Sequence, residues 1–124
     1  FDGPLAELIG PGTVTIAETY PADLYEHLGF TGLGKRNPHW RRLAMQRARE
    51  VSKARGVVFS EELLGISRTG FGPGASGEDA FDATIGAVAL SMIALGHDSP
   101  GDPQEPSEDV RRWEGWMLGR PAGV

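Results

Sequence analysis

A chain of 124 residues, 40% of them hydrophobic, has room for one modest domain and enough apolar mass for a core, which excludes wholesale disorder. A net charge of −5 excludes a protein coated with basic residues but leaves room for a local basic surface. With no cysteine, disulfides, zinc–thiolate sites and cysteine nucleophiles are excluded, in keeping with a reducing compartment.

The chain opens with Phe1 rather than Met, and no basic–apolar–small leader pattern begins it. Its most apolar run, 80–95, falls short of the roughly 20 apolar residues a bilayer requires. The expectation is a cytoplasmic protein without a membrane span, and the missing Met points to a fragment or a processed piece.

In chain order, "GPLAELIG" (3–10) reads as a helical turn stopped by Gly10 and Pro11. "TVTIAETYP" (13–21) alternates and predicts a strand, with Val14, Ile16, Glu18 and Tyr20 on one face. Pro21 ends that strand and opens a helix, "PADLYEHLG", closed by Gly29. A Gly-rich loop leads to Asn37 and Pro38, an N-cap and first-turn pair. The helix they start should end at Gly56. Its apolar stripe is Trp40, Leu43, Ala44, Ala48 and Val51; Arg42, Gln46, Arg49 and Lys53 make a basic stripe on another face.

"GVVF" (56–59) is either a short strand or an extended linker. "SEELLGI" (60–66) is a short helix capped by Ser60, and "TGFGPGASG" (69–77) is a glycine-rich loop. A long apolar helix follows over roughly 77–95 and stops at Gly96. Residues 97–109 are polar and Pro-rich and are expected to be a mobile excursion, and "VRRWEGWML" (110–118) reads as a last strand. The fold class this order predicts is α/β. Two strands make a poor sheet for so much helix, so a partner chain or a missing segment is expected to complete it.

Three features bear on chemistry. Glu18 shares its strand face with Val14 and Ile16; a carboxylate there is costly unless it is paired, bound to a metal, or set at a strand end that opens to water. Asp79 and Asp82, three residues apart, share a helix face. Asp79 with Ser76 resembles a capping box, which would make it structural, but Asp82 lies too far into the helix for that role. If Glu18, Asp79 and Asp82 converge, they offer the hard oxygen ligands that suit Mg2+ or Mn2+ in phosphodiester hydrolysis.

The third feature is a basic run. Eight of the 12 Lys and Arg residues lie between Lys35 and Arg55, opposed there only by Glu50, which reads either as a phosphate-tracking surface or as a solvated helix face. His27 reads as a helix-end residue favoured by the dipole, His39 and His97 lack ligand spacing, and "GFGPGASG" lacks the Gly-Lys-Ser/Thr ending of a phosphate-binding loop.

"AETYPADLYEHLGF", "GKR", "GEDAFDATIGAVAL" and "WEGWML", taken in order, resemble the C-terminal portion of the RNase H-like predicted nucleases. The resemblance spans most of residues 1–124, as a single domain or the C-terminal part of one. It implies an RNase H-like fold lacking its first strands here, and a metal-dependent nuclease. Glu18, Asp79 and Asp82 would be the catalytic metal ligands, and Lys35 a basic loop residue near the scissile phosphate. The first-strand Asp of RNase H-like enzymes would precede this chain. Arg42, Arg49 and Lys53 would meet the nucleic-acid backbone. The alternatives are a non-catalytic nucleic-acid-binding module using the 39–55 basic helix, and a structural or oligomerisation domain whose acids are caps.

Overall fold

The computed structural model describes residues 19–98, together with Gly12 and Val14. Glu18, the turn at 3–10, residues 13 and 15–18 of the 13–21 run, the excursion beyond Asp98 and the 110–118 segment lie outside the described residues. Among the described residues there is no strand. Four α-helices follow in order: α1 (Pro21–Leu24), α2 (Pro38–Ala54), α3 (Glu61–Arg68) and α4 (Gly74–Ala94). Two 3-10 turns, Glu26–Leu28 and Gly32–Gly34, lie between α1 and α2.

The expected α/β, RNase H-like class is therefore corrected to a helical arrangement. The one strand candidate wholly within the described region shows why. Residues 57–59 form no regular element and pair with no strand among the described residues, and the Val57 amide closes α2 by donating to Ser52 O at 2.9 Å. Gly56 before it donates to Lys53 O at 3.1 Å with φ 79°, so "GV" is a helix stop rather than the start of a ladder. The same pair of bonds ends α4 at Gly96 and His97, where the sequence placed the stop.

Helix starts follow the capping chemistry in two cases. Asn37 accepts the His39 amide at 2.8 Å ahead of Pro38, and Ser60 accepts the Leu63 amide at 3.2 Å. The third start differs from expectation. α4 begins at Gly74, three residues before the predicted Gly77, with Pro73 at the cap position and no side-chain cap. Ser76 is thus the third helical residue, and the Ser76–Asp79 capping box does not form. Gly77 fits here because a Cβ on it would stand 2.7 Å from Gly72 O and 2.9 Å from Arg41 Nη2.

The core gathers Tyr25 and Leu28 from the first turns, Ala44, Met45 and Ala48 from α2, Phe59 from the linker, and Phe81, Ile85, Val88 and Met92 from α4. α4 packs on α1 and α2, and α3 packs on α2. Burial of each large side chain contributes about 1.5–3 kcal/mol. Phe81 sits among Tyr25, Phe30, Trp40 and Phe71, with ring centroids 5.8–6.4 Å away. α4 is almost wholly apolar from Ala80 onward yet buries one side, at 77, 81, 85, 86, 88, 89 and 92. Its exposed positions are mainly small residues: Ala80, Ala83, Ala87, Ser91 and Ala94.

Candidate functional site

Asp82 lies on the flank of the buried α4 stripe, next to Phe81. The Tyr25 hydroxyl, on a side chain that is 1% exposed, donates to its Oδ1. Lys35 Nζ donates to its Oδ2 at 2.8 Å and also reaches Glu78 Oε1 at 3.2 Å. The carboxylate in the apolar run is thus neutralised by a lysine from the loop before α2. Glu78 stands one helical turn before Asp82, and i, i+4 spacing puts both acids within reach of the same ammonium.

This arrangement shifts two protonation equilibria. Burial, and then the Asp82 hydrogen bond and charge, push the Tyr25 phenol far above its ordinary range. The Asp82 hydrogen bond holds the Lys35 ammonium above its usual value, burial opposes that, and the Glu78 contact adds to it. Lys35 is therefore a firmly protonated tie between the loop and α4.

The predicted metal trio is not assembled by its described members. Asp79 is exposed, and among the described residues it makes no ion pair or side-chain hydrogen bond; Lys35 is held by Glu78 and Asp82 instead. Glu18 lies outside the described residues. Both Asp82 oxygens are occupied, one by a phenol and one by an ammonium. A divalent cation there would have to displace Lys35 against the repulsion of like charges. Among the described residues no group of three or more His, Cys, Asp or Glu side chains could hold a metal ion. Asp79 and Asp82 as placed do not fit Mg2+ or Mn2+. Sequence reasoning took the i, i+3 pair of acids. It missed Glu78, which i, i+4 spacing from Asp82 would have found, and Tyr25, whose buried hydroxyl required a partner.

The basic run divides into two sets. One is turned inward or held by acids. Arg41 is 0% exposed, and its guanidinium donates to Gly70 O at 2.7 Å, Lys35 O at 2.6 Å and Gly72 O at 2.5 Å. Arg55 pairs with Asp98, which also lies 3.7 Å from His27 Nδ1, and Arg47 meets Glu50 at 3.6 Å. Arg41 was missed as a core residue, although it falls in the stripe of Ala44, Met45, Ala48 and Ser52. Leu43, expected in that stripe, is 49% exposed, because it follows Arg41 by only two residues and faces another side.

The other set faces solvent. Arg36, Arg42, Arg49, Lys53 and Arg68 are exposed, and among the described residues none has a carboxylate within 4.0 Å. Arg42 contacts His39 Nδ1 at 2.7 Å. Arg42, Met45, Gln46 and Arg49 of α2 face Leu64, Ser67 and Arg68 of α3 across a shallow cleft. The predicted contact residues Arg42 and Arg49 are thus brought together, and Arg68 joins them from a helix the sequence reading did not connect to them. Lys35 does not line this cleft and is held by Glu78 and Asp82. No helix among the described residues is long and apolar enough to cross a membrane. Comparison of the chain with family models, with curated proteins and with solved structures returns no match.

Proposed function

We propose that this chain is a nucleic-acid-binding module that engages the phosphate backbone through the outer face of α2 and α3, without catalysis by Asp79 and Asp82. The observation that supports this reading is the α2–α3 cleft, where three arginines lie exposed without acidic partners among the described residues, in a chain of net charge −5. Acids elsewhere on the surface keep the chain from coating nucleic acid generally, and the unpaired cations concentrate the attraction on one face.

The competing nuclease reading rests on the resemblance of the quoted motifs. It would need Asp79 turned toward Asp82 and Lys35 removed from it. The two readings separate in one experiment. Anisotropy of a fluorescein-labelled oligonucleotide is titrated in EDTA and in magnesium. The binding reading expects the same affinity in both, retention of binding by Asp82→Asn, and about tenfold or greater loss in the triple variant Arg42→Gln/Arg49→Gln/Arg68→Gln. Binding that needs magnesium, or magnesium-dependent cleavage abolished by Asp82→Asn, would restore the nuclease.

A further inference from the structure

We infer that the α2–α3 face takes duplex rather than single-stranded nucleic acid and contacts it at the backbone alone; this rests on the binding reading above. Proteins that hold single strands without sequence preference combine a cationic groove with aromatic platforms on which bases stack. Among the described residues the cleft has the cations but no aromatic lining: its residues are Arg42, Met45, Gln46, Arg49, Leu64, Ser67 and Arg68. The nearest sequence candidate for a platform, Trp40, is instead packed edge-on against Phe30 and Phe81, with centroids 5.8 Å from each. Tyr25 and Phe59 are buried, and Phe71 packs on Phe81. Tyr20 is the exposed aromatic among the described residues, and it does not line the cleft.

Spacing points the same way. Arg42 and Arg49 are two helical turns apart, which puts their Cα atoms about 10.5 Å apart along the axis. That is close to the roughly 12 Å that separates the two backbones across a B-form major groove. Lys53 extends the row by one more turn, and Arg68 adds a cation from α3 on the far side of the cleft. Guanidinium groups make bidentate contacts with phosphate, so three of the four cations favour backbone oxygens. Four contacts predict a log K against log salt slope of about −3.6 on duplex DNA.

The test compares a labelled duplex of arbitrary sequence with each of its separated strands, over a series of salt concentrations. Wild type is expected to bind the duplex about tenfold more tightly than either strand, with little change when the duplex sequence is scrambled. The Arg42→Gln/Arg49→Gln/Arg68→Gln variant, with its fold checked by circular dichroism, is expected to reduce the duplex slope by about 2.7. Single strands bound as tightly as the duplex would overturn the duplex inference while leaving the basic face a nucleic-acid site. Absence of binding to either form would overturn both. Duplex binding with an unchanged slope in the triple variant would remove the assignment to this face.

Discussion

Arg41 and Arg42 are neighbours in the chain with opposite environments, and they stand for two regions of the molecule. On the inner side, Arg41, Lys35 and Arg55 are consumed by the fold: a guanidinium on three carbonyls, an ammonium on two acids, an arginine on Asp98. On the outer side, Arg42, Arg49, Lys53 and Arg68 have no carboxylate partner among the described residues. A helix turns by about 100° per residue, so adjacent positions face different surroundings. Local charge density in a sequence therefore overstates the cations available to a partner. The inner set stabilises the fold, and the outer set is what the molecule can offer.

The largest expected effect lies at Arg41. Arg41→Met fills similar space but leaves the carbonyls of Lys35, Gly70 and Gly72 without their donor inside the structure. The expected loss is about 3–5 kcal/mol. A Tm lower by roughly 12 °C or more in a thermal melt would register it. A melt unchanged by this substitution would break the distinction between the two arginines.

Next comes Asp82→Ala, which strips Tyr25 of its acceptor and leaves Lys35 with Glu78 alone. A loss of about 1–3 kcal/mol is expected in urea unfolding. Asp82→Asn should lose less, since its side-chain oxygen still accepts from the Tyr25 hydroxyl. If both variants melt with wild type, the Lys35 corner does not hold the fold.

A pH series sharpens the same point. Tyr25 and Lys35 both titrate above their ordinary values of 10.0 and 10.5 in the folded protein. Above these values the folded state holds protons that the unfolded state has released, so stability falls as pH rises. The contribution is complete below about pH 10 and is lost above it. Denaturant midpoints measured from pH 8 to pH 11 should decline at the alkaline end, and less steeply in Asp82→Ala.

The smallest effect on stability is expected at Arg42→Gln, within about 0.5 kcal/mol of wild type. Its effect on oligonucleotide affinity should nevertheless exceed its effect on stability. An Arg42→Gln protein that melts several degrees lower would mean the outer arginine is structural after all.

Much of the helical framework was legible in the sequence because its signals are local. Asn37–Pro38, Ser60, Gly56 and Gly96 mark boundaries through bonds made within a few residues, and the structure uses each of them. The start of α4 was not legible. The glycine-rich segment before it is arranged around the Arg41 guanidinium, which comes from a helix some thirty residues earlier. Among the candidate site residues, Lys35 was expected at a scissile phosphate and lies beside Asp82 as its ion-pair partner. Asp79 was paired with Asp82 from spacing alone, whereas the loop lysine lies on the side that Glu78 shares.

The residues alone determined where α2 begins and ends, where α3 begins and where α4 stops, that one face of α2 is basic, and that a carboxylate in an apolar run needs compensation. Each of these follows from backbone capping, helical period or the cost of burying charge, which act over a few residues. Tertiary structure decided that no strand forms among the described residues, that Lys35 and Tyr25 are the partners of Asp82, and which arginines remain free for a ligand. Those outcomes depend on which distant side chains meet, and two neighbouring arginines of the same chemistry are told apart only when the opposing surface is in place.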